Sequence, residues 1–128
     1  MYEKKIPKDF SCGMGITMEI IGGKWKPCLI NSIHKGFCRP SELAKQHPDA
    51  SKRVLNLQLK ELEEHGVVSK IIHPELPPKV EYFLTDLGKS LLPLIASMEQ
   101  WGADFMDEFY QMQANKYLKQ EEGSSAVL

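Results

Sequence analysis

Four polar residues within nine positions have types and spacing that suit the edges and backbone of a nucleic acid: Lys52, Arg53, Asn56 and Lys60. On a helix they fall to one side, while Leu55, Leu59 and Leu62 form an i, i+4, i+7 apolar stripe on the other. The guanidinium fork of Arg53 matches the two acceptors of a guanine, and the Asn56 amide matches the donor and acceptor of an adenine. Lys60 suits a phosphate. Ser51 is a plausible N-cap, which places Lys52 and Arg53 in the first turn, where unpaired N–H groups and the helix dipole favour an anion. An amphipathic surface helix with a solvated charged face is the competing reading of the same residues.

Other chemistry has little support. Gly23-Lys24 follows Met18 where a phosphate-binding loop needs glycine, and Gly13-Met14-Gly15 lacks a third glycine and a preceding strand. His34, His47, His65 and His73 have no companions at metal-ligand spacing. Neither an enzyme, a metal nor a cofactor is therefore expected. Cys12, Cys28 and Cys38 are odd in number and fit no metal pattern, which suggests reduced thiols in a cytoplasmic protein. No run of about 18 apolar residues exists, and the first residues show no apolar signal core.

The elements that would hold the polar quartet follow from periodicity. Residues 1–11 read as a flexible arm. A short helix from Ile16 ends at Gly22-Gly23, and a second from about Lys24 to Gly36 carries Trp25, Cys28, Leu29, Ile30 and Ile33 on one apolar face, with Pro27 in its first turn. Cys28 is accordingly expected in the core. After the extended link Phe37-Cys38-Arg39-Pro40, Ser41 is expected to cap a short helix that breaks at Pro48-Asp49. The helix beginning at Ser51 closes at Gly66. The period then switches to strands over 67–72 and 79–84, joined by the proline-rich tip His73–Pro78. Thr85 caps a further helix through Trp101 that Pro93 bends, Gly102 separates it from a last helix with Phe105 and Phe109, and residues 120–128 are expected to fray.

This order gives a mainly α fold with one β-hairpin, a winged helix-turn-helix. A single domain of 128 residues is expected, with the winged helix-turn-helix over 12–84 and two dimerisation helices over 85–115.

The formal net charge of −1 looks unsuited to DNA, but its distribution does not: residues 24–60 hold eight Lys and Arg against two acids, whereas 61–98 and 99–128 are net acidic. A chance fluctuation explains the surplus equally well if taken alone. Lys24, Arg39, Ser41 and Ser51 join Lys52, Arg53, Asn56 and Lys60 as candidate DNA contacts. On the wing, Lys70, His73 and Lys79 are candidates for the backbone near the minor groove, or ordinary strand-end charges.

The chain resembles the HxlR-type regulators, a branch of the MarR-like winged-helix proteins. The matching pieces are Ile21-Gly22-Gly23-Lys24-Trp25, Arg39-Pro40-Ser41-Glu42-Leu43, Ser51 with Leu55, Leu59, Leu62, Glu63 and Gly66, then Pro77–Tyr82, Leu84-Thr85, Gly88 and Trp101-Gly102. Together they cover about residues 12–102. The sequence departs from the family pattern at Pro40, Gly13 and Asp49-Ala50. The resemblance implies a sequence-specific transcriptional regulator, a homodimer on a two-fold operator of double-stranded DNA. Ile16, Met18, Met98, Trp101, Phe105, Met106 and Phe109 are the expected dimer contacts, since so many large apolar groups require a cover. Folding back onto the same chain is the other way to cover them. The resemblance also implies that Cys12 is a candidate redox or electrophile sensor, with an unreactive thiol as the competing reading. Cys38, beside Arg39 in the link, is a weaker candidate or a resolving partner. A winged-helix module for protein contacts, without sequence-specific DNA binding, stands as the alternative function.

Overall fold

The computed structural model describes residues 10–126, with side chains described to 121. The arm expected over 1–11 and the last two residues of the expected frayed tail therefore lie largely outside the described residues. Two compact units are present, divided between Leu92 and Pro93.

The first unit holds α1 (Gly13–Ile21), α2 (Lys26–His34), α3 (Pro40–Gln46), α4 (Lys52–Glu64), β1 (Val68–His73), β2 (Lys79–Leu84) and α5 (Asp86–Ser90). α2 is central, touching α3, α4 and β2, while α4 also touches α1, α3 and β1. Leu29, Ile30, Leu43, Leu59, Leu62 and Val67 are fully enclosed in the core between them. Truncating one such leucine to alanine costs about 2–5 kcal/mol.

Glycine turns end both α2 and α4. Gly36 and Gly66 have φ of 104° and 74°, conformations that cost glycine little. In each turn the glycine N–H bonds back to Ile33 or Glu63, and the next N–H to Ser32 or Leu62. The chain leaving α4 is thereby turned directly into β1. β1 and β2 pair antiparallel, from Val68 opposite Leu84 to His73 opposite Lys79. The Tyr82 N–H donates to the Cys38 carbonyl at 2.8 Å, which ties the link before α3 to the wing.

The expected N-cap of α3 is corrected. Arg39, not Ser41, holds that position, and Glu42 accepts from the Arg39 N–H at 3.2 Å. Pro40 favours this frame because a proline at the first helical position loses no hydrogen bond. Ser51 does cap α4, accepting from the Val54 N–H at 3.1 Å. Thr85 caps α5 in the same way through the Gly88 N–H.

α6 (Leu92–Ala126) makes up the second unit. The break expected at Gly102 does not occur; the helices part at Leu91 instead. Pro93 explains the shift, because its missing N–H is harmless in a first turn and disruptive further in. One glycine inside a long helix costs only about 1 kcal/mol, which the flanking helix formers absorb. α6 also continues to Ala126, past the point where fraying was expected from residue 120.

Candidate nucleic-acid interface

α4 has the two faces that the spacing demanded. Leu55, Leu59 and Leu62 are buried, whereas Lys52, Arg53, Asn56 and Lys60 are exposed. At about 100° per residue the four polar residues occupy one arc opposite and beside the leucines. Ser51 uses its oxygen as the cap acceptor, and its O–H remains a donor available to a phosphate. α3 flanks this arc. Pro40, Ser41 and Ala44 face Lys52, Leu55 and Asn56 across a shallow cleft of about 160 Å³. Ser41 and Arg39 are exposed at the start of α3. Lys24 is exposed and lies over the Trp25 ring, 5.3 Å from its centroid.

The wing is electrostatically different. Lys70 lies 3.7 Å from Glu63, His73 lies 3.0 Å from Glu81, and Lys79 lies 3.3 Å from Glu75. Each candidate side chain on the ribbon therefore already faces a carboxylate, whereas among the described residues no ion pair engages Lys52, Arg53 or Lys60. Leu76, at the tip, is almost wholly exposed.

Two contacts that sequence reasoning passed over join α4 to the start of α2. Lys26, only 4% exposed, places its ammonium 3.2 Å from the Glu61 carboxylate. One residue earlier, the Trp25 N–H donates to Gln58 Oε1 at 2.9 Å. The signal in the sequence was the position of Lys26, three and four residues before Leu29 and Ile30, on the apolar stripe itself. Its burial withdraws it from the basic surplus of residues 24–60. The stripe was read with Cys28 instead, and that expectation is corrected: Cys28 is exposed. It lies about 200° around the helix from Lys26, on the opposite side from Leu29, Ile30 and Ile33.

Behind α3, the His47 ring meets Ser32 Oγ at 2.9 Å and Trp25 at 5.8 Å between centroids. Burial lowers its pKa from the ordinary histidine value.

Cys12 is exposed and holds the N-cap position of α1. Its Sγ makes no full capping hydrogen bond, yet the N–H groups of Gly15 and then Met14 lower its pKa from that of an ordinary thiol. Cys38 is half-buried and shifted the other way, by burial first and by Glu81 and Glu42 after it. The described residues contain no group of three or more His, Cys, Asp or Glu able to hold a metal ion. No helix among them is long and apolar enough to cross a membrane.

In α6, Met98, Trp101, Met106 and Phe109 are exposed and Phe105 is partly so. The tilted rings of Trp101 and Phe105 lie 5.3 Å apart between centroids, and those of Phe105 and Phe109 6.4 Å, so the rings form a ladder along one side of the helix. Ile16 and Met18 of α1 are exposed as well.

Comparison with known proteins places these features in company. The HxlR-like helix-turn-helix family matches residues 20–110. The HTH-type transcriptional regulator YdeP of Bacillus subtilis (strain 168) is 38% identical over 120 residues, spanning 89% of this chain and 94% of YdeP. YkvN, an HTH-type transcriptional regulator of the same organism, is 42% identical over 103 residues, spanning 80% of this chain and 87% of its own. Among solved structures, the redox regulator HypR in its reduced form superposes with a TM-score of 0.73 at 37% identity, covering 78% of this chain and 99% of that one. HypR in its oxidised form gives 0.69 at 40% identity, covering 73% and 96%.

Proposed function

Because this chain belongs to the HxlR-like helix-turn-helix family, we propose that it is a transcriptional regulator that inserts α4 into the major groove and binds a two-fold operator as a homodimer. The observation that carries this reading is the single exposed arc of Lys52, Arg53, Asn56 and Lys60 on a helix whose other side is core. Arg53 and Asn56 read base edges; Lys52 and Lys60, with Ser51, Ser41, Arg39 and Lys24, hold the backbone. The wing supports the duplex through its backbone and contributes less charge than its lysine count suggests, since Lys70, His73 and Lys79 are already paired.

A second copy of the chain supplies the cover for the apolar residues of α6 and, separately, for Ile16 and Met18 of α1. The protein acts in the cytoplasm by binding, and no enzymatic step is assigned to it. Cys12 serves as its sensor. Its lowered pKa and exposure are what a nucleophilic thiolate requires. In attacking a peroxide, the thiolate takes one oxygen to become a sulfenate and releases the other as water or an alcohol. The likeness to HypR, a redox regulator known in oxidised and reduced forms, supports that role.

Selection of duplexes from a random pool, repeated with and without oxidant, tests the reading. Enrichment of a two-fold site and weakened or shifted binding after oxidation are the expected results. Arg53→Ala costs about 1–3 kcal/mol and relaxes base preference at one position per half-site. Retention that is indifferent to both sequence and salt points instead to a protein-interaction module and removes the DNA assignment.

A further inference from the structure

The polar contacts between α4 and the start of α2 lie away from the groove-facing arc, and the leucine core does not need them. Gln58 and Glu61 stand one turn apart on a single flank of α4. They meet two consecutive residues of the other helix: Trp25 through its N–H at 2.9 Å and Lys26 through its ammonium at 3.2 Å. The approach of the two segments is tight at Gly23. A Cβ at Gly23 would lie 2.9 Å from Gln58 Oε1 and 2.9 Å from the Lys26 side chain. Glycine at that position therefore lets the turn before α2 approach α4 closely enough for both contacts.

The leucine stripe of Leu55, Leu59 and Leu62 decides which side of α4 faces the core, but the hydrophobic effect itself is non-directional and sets the rotation about the helix axis only coarsely. Hydrogen bonds and ion pairs are directional, and two of them a turn apart on one flank do fix it. The rotation matters at the other side of the helix. A group about 6 Å from the axis moves about 2 Å for a 20° turn. A hydrogen bond to a base edge tolerates only about 0.5 Å.

We infer that Gln58 and Glu61, with Trp25 and Lys26, are positioning residues that set the rotation of the reading helix and thereby the sequence discrimination of the protein. The inference rests on the assignment of α4 to the groove. None of the four side chains needs to touch DNA. Lys26 is buried whereas Glu61 is partly exposed, so removing Glu61 alone leaves a buried ammonium uncompensated and endangers the fold, whereas replacing both by apolar residues is often neutral for stability. The decisive variant is therefore Lys26→Met with Glu61→Leu, which also leaves the net charge unchanged.

The test uses a duplex selected by the wild-type protein from a random pool, a scrambled duplex of the same composition, and the full chain. The double variant is expected to keep its thermal midpoint and its affinity for the scrambled duplex within two-fold, while the ratio of selected to scrambled affinity falls at least ten-fold. A ratio within two-fold of wild type overturns the inference. Gln58→Leu provides the same comparison if the double variant does not fold, with the same expected fall and the same overturning result. A DNA-free measurement separates this inference from the assignment beneath it. Residual dipolar couplings should report a rotation of the α4 N–H vectors relative to α2 in the variant, and unchanged couplings overturn the clamp whatever the DNA result. Failure of the wild type to select any duplex, with the rotation present, removes the groove assignment and leaves the clamp standing.

Discussion

Lys60→Ala is expected to take more out of DNA binding than Lys79→Ala, although both remove one cation from an element assigned to the duplex. The difference is prior commitment. Lys79 lies 3.3 Å from Glu75, so turning to a phosphate exchanges one anion for another and leaves a carboxylate facing the backbone. No such partner holds Lys60 among the described residues. Each phosphate neutralised contributes about 0.9 to the slope of log affinity against log salt. A two-fold dimer presents Lys60 twice, so the variant should reduce the slope by about 1.8. From about 50 to about 200 mM salt, this makes its loss of affinity roughly 12-fold smaller than that of the wild type. Fluorescence anisotropy with a labelled selected duplex at four salt concentrations measures the slopes directly. Lys79→Ala should leave the slope at the wild-type value. Equal slope changes for the two variants would refute the argument that the wing's charges are spent within the protein.

The remaining expectations concern the thiols, a histidine and a glycine. Alkylation of Cys12 should outpace that of Cys38 at neutral pH, because the thiolate forms at lower pH at Cys12 and at higher pH at Cys38; peptide mapping after brief iodoacetamide treatment checks the order, and the reverse order defeats it. Cys12→Ser should bind DNA as the reduced wild type does and lose the response to oxidant in a gel-shift assay. His47 has a folded pKa below its ordinary 6.5, so the unfolded chain takes the proton first. The stability it contributes is complete above about pH 6.5 and is lost as pH falls toward the folded value. His47→Gln should therefore lose less of its thermal midpoint between pH 7.5 and 5.5 than the wild type, and parallel losses would count against this. Gly88→Ala drives a Cβ into the Val67 carbonyl oxygen, where α5 docks on the chain entering β1. That overpacking should cost about 1–3 kcal/mol and lower the melting temperature by on the order of 5 °C; an unchanged midpoint would show that α5 moves freely.

The elements most legible in the sequence are those whose local and tertiary demands agree. α4 combines a capping serine, a leucine stripe and a glycine stop, and each is realised as the pattern implies. β2 begins and ends where its alternating residues do. The errors fall where two local rules compete. At α3, serine and proline both signal a helix start, and the stronger constraint of Pro40 moved the cap to Arg39. At α5 and α6, Pro93 and Gly102 were both read as interruptions, but a proline tolerates only a first turn, whereas a glycine is merely costly. The Lys26–Glu61 contact was illegible for another reason. It joins residues 35 apart in the chain, and no local period announces a partner at that distance. The wing's lysines looked available for a related reason: Glu63 meets Lys70 only after the glycine turn at Gly66, and Glu75 meets Lys79 across the loop His73–Pro78, where no helical period pairs residues four apart.

The apolar ladder on α6 bears on how sensing could reach DNA. A helix of 35 residues is about 52 Å long, and an isolated helix in water is only marginally stable without a packed face. Trp101 is 70% exposed and its neighbours Met98, Met106 and Phe109 are close to half exposed, so the side of the helix with most to gain from burial is open. In the homodimer proposed above, a symmetric copy would bury the same residues on both chains at once. Half-sites on one face of the duplex lie about 34–36 Å apart, so reading them together depends on that separation more than on any single base contact. Oxidation at Cys12 needs no contact with DNA to act. Cys12 is the N-cap residue of α1, whose Ile16 and Met18 are also exposed apolar groups, and in the dimer and sensing role proposed above a displacement there that altered the spacing of the subunits would lower affinity at both half-sites together.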